Sequence, residues 1–186
     1  MTWYIDCICI KTLNLFLGNC THNNQCSLNC SGPKCIQTCD GEKCDLKCDG
    51  QHCEQTCNDA QEVSSRNCKT KNCVQICNKG DCSLECNRKH CNQTCNNNNG
   101  KCTLNCKGKR CCQTCQGAEC SLECNSLGER CDQTCNNNNG KCTVDLNGRW
   151  SDQTCQGVKC FSTKNVIAST KAPTTFSKLY HFYTGE

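Results

Sequence analysis

Between residues 26 and 160 the chain alternates apolar and polar positions with period two, in blocks of five separated by short polar joints. One block reads Cys-x-Leu-x-Cys, as in Cys26 to Cys30, and the other Cys-x-Gln-Thr-Cys, as in Cys35 to Cys39. In an extended chain residues i, i+2 and i+4 share a face. The first type, A, then turns Cys, Leu, Cys inward, and the second, B, turns Cys, Gln, Cys inward. The intervening positions are mostly polar. A helix fits poorly, because the next cysteine falls nine residues on, half a turn round, and a Gly recurs at nearly that spacing. The blocks are therefore predicted to be strands.

A and B alternate, so the true repeat is about 18 residues. Rows begin at Cys26, Cys44, Ser64, Cys82, Cys102, Cys120 and Cys142; a decayed row runs from Cys7 to Cys20, and Cys160 opens one more. Joints such as SGPK, DGEK, DGQH and KGKR carry Gly, which supplies the positive φ of tight turns. Two joints expand to NNNNGK, at Asn96–Lys101 and Asn136–Lys141. Fixed blocks and variable joints identify the blocks as the ordered elements. Such periodicity is the mark of a solenoid. The expected fold is all-β, a disulfide-laddered β-solenoid of roughly 18-residue coils, with residues 1–19 a degenerate first coil or apolar leader, 20–160 the repeat domain and 161–186 a cysteine-free tail, disordered or capping.

Composition explains how such a chain is held together. It has 30 cysteines in 186 residues. Both Trp, all three Tyr and all four Phe lie outside residues 17–149. Cross-links must replace an ordinary core, which implies an oxidising compartment and an extracellular, secreted protein. Residues 1–18 begin with no basic residue and contain Asp6 and Lys11, so they make a poor signal peptide and are too short to span a membrane. Sequons at Asn19, Asn29 and Asn92 fit secretion.

Two rows indicate the pairing. In the row from Cys142, the second and third cysteine positions are Leu146 and Ser151; in the decayed row they are Lys11 and Phe16. Joint loss of two positions is what loss of one bridge looks like. The inner pairs are then Cys30–Cys35, Cys48–Cys53, Cys68–Cys73, Cys86–Cys91, Cys106–Cys111 and Cys124–Cys131. The outer pairs are Cys26–Cys39, Cys44–Cys57, Cys82–Cys95, Cys102–Cys115, Cys120–Cys135, Cys142–Cys155 and Cys7–Cys20. Cys9, Cys77, Cys112 and Cys160 are left over, as free or intermolecular thiols. The rival is a disulfide-linked β-meander, in which the outer cysteines bond to the next row, as in Cys39–Cys44. Stacked columns and the Leu/Gln alternation favour the coil. Its thin interior is a difficulty that side chains lying along the axis would remove, with Gln37, Gln55, Gln75, Gln93, Gln113, Gln133 and Gln153 forming an amide ladder.

Candidate chemistry is sparse. The residue before each B block forms a column of Lys34, His52, Asn72, His90, Arg110, Arg130 and Trp150. Its cations repel one another and gain by meeting a polyanion, such as a sulfated glycan or acidic matrix polymer. The net charge of +4 is not that of a dedicated nucleic-acid binder. The C-x3-C spacing falls inside the zinc range, but the strand-and-turn rhythm suits bridges better, so no metal or cofactor is assigned. No catalytic constellation surrounds His22, His52, His90 or His181, and no enzyme activity is expected.

The C-x-Q-T-C / C-x-L-x-C alternation over roughly residues 20–160 resembles cysteine-rich tandem-repeat proteins of marine invertebrates, notably cnidarians. That resemblance implies secretion and no particular activity. The outward file Thr38, Thr56, Thr94, Thr114, Thr134 and Thr154 is similar in logic to beetle antifreeze solenoids, although Ile76 breaks it and no second Thr file accompanies it. The leading expectation is a structural or scaffold protein of matrix, mucus or fibre, able to self-associate end to end. The alternatives are a polyanion-binding or host-defence module, a metal-binding protein and an ice-binding protein.

Overall fold

A computed structural model describes residues 7–11, 15–58, 64–69, 71–96, 100–117, 119–125, 130–147 and 151–164. The strands are β1 (Cys7–Lys11), β2 (Phe16–Cys30), β3 (Lys34–Cys48), β4 (His52–Cys57), β5 (Ser64–Cys68), β6 (Asn72–Cys77) and β7 (Cys82–Cys86). They continue as β8 (His90–Asn96), β9 (Lys101–Cys106), β10 (Arg110–Gln116), β11 (Glu119–Asn125), β12 (Cys131–Asn147) and β13 (Gln153–Lys164). B blocks pair in parallel with B blocks, along β3, β4, β6, β8, β10 and β12. A blocks pair with A blocks, along β3, β5, β7, β9, β11 and β12. Equivalent residues are in register, as in Cys111↔Cys91 and Cys120↔Cys102. This is the coil: two parallel files, one of A strands and one of B strands. A meander would pair successive strands antiparallel. β2, β3, β12 and β13 run through their joints and carry an A and a B block each.

The interior follows the period-two pattern. The inward Cys, Leu and Gln are buried, and outward residues are half-buried or exposed. The amide ladder forms: Gln55 donates to Gln37 at 2.9 Å, Gln75 to Gln55 at 3.0 Å, Gln93 to Gln75 at 3.0 Å and Gln113 to Gln93 at 2.9 Å. It continues through Gln133 at 2.8 Å and Gln153 at 3.1 Å. The second amide hydrogen crosses to the A file, where Gln93 reaches the Leu84 and Asn105 carbonyls at 3.0 and 3.2 Å. Each side chain thus lies along the axis and fits the thin layer.

Bridges close both edges, with Cα separations of 6.1–6.5 Å. On the A-to-B edge the six inner bonds are Cys30–Cys35, Cys48–Cys53, Cys68–Cys73, Cys86–Cys91, Cys106–Cys111 and Cys124–Cys131. In the chain-entropy model each five-residue closure contributes about 2 kcal/mol.

The B-to-A edge corrects the outer pairs. Bonds cross the turns, as Cys77–Cys82, Cys95–Cys102, Cys115–Cys120 and Cys135–Cys142. They replace Cys82–Cys95, Cys102–Cys115, Cys120–Cys135 and Cys142–Cys155. Cys44 lies at bonding distance both from Cys39 and from Cys57, its expected partner. The reason is geometric: the end of a B strand sits between the A-strand starts of its own coil and of the next, so both are in reach. Turn-crossing bonds are therefore compatible with a coil and do not diagnose a meander. Cys77, expected to be left over, is bonded. Cys155 is disulfide-bonded, and since Cys142 is taken by Cys135 its partner is not Cys142. The side chains of Cys9 and Cys160 lie outside the described residues.

Two further expectations change. The decayed row is not a full coil: Phe16 to Cys20 takes the B position beside Cys35 to Cys39, but β1 folds back antiparallel on it, with Cys7 opposite Cys20. Turn glycines serve mainly close approach. Among the described residues Gly80 is the one with positive φ, 79°. At Gly108 a Cβ would lie 1.7 Å from the Arg88 carbonyl oxygen, and at Gly50 2.1 Å from that of Gly32. The coils stack too tightly there for any side chain. Trp150 and residues 165–186 lie outside the described residues.

Substituting Gln93→Leu removes the bond accepted by the Gln75 Oε1 and leaves that buried acceptor unmatched. We expect a loss of about 1–3 kcal/mol, read as a lower thermal midpoint with the disulfides intact; an unchanged midpoint would contradict a structural role for the ladder.

Candidate binding edge and the coil at Ser64

The A-to-B turns stack through backbone bonds. Lys69 N–H donates to the Cys48 carbonyl at 3.0 Å, His90 to Lys71 at 2.8 Å, Lys107 to Cys86 at 2.9 Å and Arg110 to Lys89 at 2.7 Å. Register places Lys34, His52, Asn72, His90 and Arg110 in one file, and Arg130, whose carbonyl accepts from Cys111 N–H at 3.1 Å, extends it. The spacing is that of neighbouring strands, about 4.8 Å.

This file is the smaller part of the charge. Lys69, Lys71, Arg88, Lys89, Lys107 and Lys109 stand on the same turns and are exposed. Among the described residues of this edge Asp49 is the one acid. Among the described residues the opposite edge is balanced, with Asp40, Glu42, Asp81 and Glu119 against Lys43, Lys79, Lys101 and Lys141. Even in water two unit charges 4 Å apart repel by about 1 kcal/mol, so like charges stacked on adjacent turns repel one another. On this edge a cleft of about 410 Å³ is lined by Gly50, Gln51, His52, Lys69, Lys71, Asn72 and Arg88. The six added cations were legible in the joints KTKN, NRKH and KGKR, but a column drawn through one position per coil passes them by.

Round the corner, on the outer face of the B file, a groove of about 920 Å³ is lined by Val74, His90, Asn92, Arg110, Cys112, Arg130 and Asp132 among others. Arg130 Nε donates to the Asp132 carboxylate at 2.9 Å, so it is partly neutralised. Cys112 is an exposed free thiol. Partial burial pushes its pKa up, Asp132 adds to this, and Arg130 and a Thr114 hydrogen bond oppose it. The Thr file is in register beside it, but its companion file holds Ile36, Glu54, Val74, Asn92, Cys112, Asp132 and Asp152, which gives no flat Thr surface.

The sulfurs also group in threes, such as Cys77, Cys82 and Cys95, or Cys91, Cys106 and Cys111, lying within 4.8 Å of one another. As thiolates these would be soft-metal ligand sets. As disulfides they offer no thiolate to a metal, so the two chemistries exclude each other.

One interior residue breaks the pattern. The inward A position runs Leu46, Arg66, Leu84 in register. Arg66 is 0 % exposed, and none of its guanidinium nitrogens has a hydrogen-bond partner among the described residues. Burial pushes its pKa down to about 9. At neutral pH it is thus a buried cation, and its cost is full well below pH 9 and relieved as pH rises above 9. The sequence signal was available, as the one A block that opens with Ser64 and carries Arg where Leu or Val belongs. Among the described residues no helix is long and apolar enough to cross a membrane. Comparison of the chain with protein-family models, curated proteins and solved structures finds no match.

Substituting Arg66→Leu restores an apolar column, and we expect a gain of roughly 1–3 kcal/mol at neutral pH by thermal or denaturant unfolding; destabilisation would show that the guanidinium is satisfied in solution. Substituting Asp132→Asn lowers the Cys112 thiol pKa, so iodoacetamide should label Cys112 faster near neutral pH. An equal rate in both proteins would remove the carboxylate from that account.

Proposed function

We propose that this chain is a secreted, extracellular structural solenoid that attaches to polyanionic matrix polymer through its A-to-B edge. The observation that carries the reading is the segregation of charge between the edges. Seven lysines and arginines, Lys69, Lys71, Arg88, Lys89, Lys107, Lys109 and Arg110, stand on three successive turns whose described residues include no acid. A polymer with regularly spaced sulfates or carboxylates is attracted to such a concentration of cations and releases its own condensed ions on binding. A ladder of bridges suits an extracellular load-bearing part, because it resists reduction and unfolding where no chaperone acts. The backbone-bonded turns hold the cations at fixed spacing, so little ordering entropy is lost on binding.

The test uses heparin as the probe polyanion and two triple variants of equal charge. The triple substitution Lys69→Glu, Arg88→Glu and Lys107→Glu should elute from a heparin column at much lower salt, with the slope of log K against log salt reduced by about 2–3. The triple substitution Lys43→Glu, Lys79→Glu and Lys101→Glu on the opposite edge should change little. Equal losses would mean that net charge, not the edge, governs retention. Wild-type chain that passes through the column at low salt would end the proposal.

A further inference from the structure

We infer that Ser64 divides the B-to-A edge into two disulfide registers: before it Cys26–Cys39 and Cys44–Cys57 each close a single coil, and after it the bonds from Cys77, Cys95, Cys115 and Cys135 each cross a turn to the next coil. The starting observation is that Cys44 is offered two partners. Cys39, Cys44 and Cys57 are buried with their sulfurs within 4.8 Å of one another. The Cα separations, 6.1 Å for Cys39 to Cys44 and 6.4 Å for Cys44 to Cys57, both suit a bridge. A sulfur makes one S–S bond, so local geometry leaves the choice open and the neighbours decide it.

After Ser64 there is no choice. Cys77 ends the B strand of the coil that Ser64 opens, and the same-coil position that would receive it holds a hydroxyl. It must therefore bond forward to Cys82. Cys82 is then unavailable to Cys95, which takes Cys102, and the displacement passes on through Cys115–Cys120 and Cys135–Cys142. Before Ser64 nothing forces that displacement. Cys20 is disulfide-bonded, and its register partner is Cys7. The rest of the buried cluster on this edge is Cys26, Cys39, Cys44 and Cys57. Pairing Cys26 with Cys39 and Cys44 with Cys57 uses all four. Pairing Cys39 with Cys44 separates Cys26 from Cys57 by a whole coil and a half, too far for a bridge. In an oxidising compartment, where a disulfide-containing oxidant takes up the two electrons and two protons that each thiol pair gives up, the fully paired register prevails.

The two registers divide the molecule. Upstream, each outer bond encloses an inner one, as Cys44–Cys57 encloses Cys48–Cys53, and makes the coil a closed ring whose B-to-A turn no bridge spans. Downstream, the bonds staple the turns and link each coil to the next. The change falls in the coil that also buries Arg66. This assignment does not depend on polyanion binding.

Trypsin provides the test, because cleavage after Lys43 and Lys47 frees Cys44 in a four-residue peptide. Full-length chain from a secretory host is alkylated in denaturant without reduction, digested and analysed by mass spectrometry. We expect the Cys44 peptide to be joined to the peptide of residues 48–66, which carries Cys57, with Cys26 and Cys57 unalkylated. A Cys44 peptide joined to residues 35–43 through Cys39, with Cys26 and Cys57 alkylated, would overturn the assignment. So would a chain alkylated throughout, which would in addition remove the ladder itself.

Discussion

Everything in this molecule depends on one constraint: two sulfurs hold their backbones about 6 Å apart, at either edge of the coils that keep their cysteines. The middle of the chain has no aromatic residue, so it cannot close a sheet sandwich of ordinary thickness. The bridges close a thinner one. Their span dictates what fits inside, which is one Leu from the A strand and one Gln from the B strand per coil. The same span pins the turns so closely that Gly108 and Gly50 sit almost on the carbonyls of the coil beneath.

A thin interior turns a polar residue into an advantage. A glutamine that lies along the axis satisfies its amide with the coils above and below, and its second hydrogen ties the B file to the carbonyls of the A file. The ladder is therefore both a filler and a cross-brace. Arg66 shows the limit of that solution. A guanidinium has five donors and no acceptor, so it cannot stack on itself as an amide can, and here its neighbours in the file are Leu46 and Leu84. The coil with the buried cation is also the one without its opening cysteine, which concentrates two departures from the repeat in one place.

Repetition also makes surfaces. Parallel stacking in register multiplies whatever one turn carries, so three joints rich in Lys and Arg become a single cationic edge. The other edge, built from joints with Asp and Glu interspersed, stays neutral. No special fold device is needed beyond the identical spacing of the coils, and the binding surface scales with the number of turns that keep the composition.

The strands, the inward Cys, Leu and Gln, the coil length and the amide ladder were all readable from the residues, because each follows from period two and an 18-residue repeat. The inner bridges were readable too, since Leu146 and Ser151 lose their cysteines together. The outer bridges were not. Along the sequence Cys44 has one candidate partner in its own row, Cys57, and one in the row before, Cys39, and only stacking shows that both stand at nearly the same distance in space. The full basic edge required the same step, because Lys69, Arg88 and Lys107 occupy different offsets in their joints and become one surface only when the turns are superposed. Periodicity fixes which face a side chain takes. Distances between residues of successive coils arise from the rise and closure of the solenoid, which belong to the whole molecule.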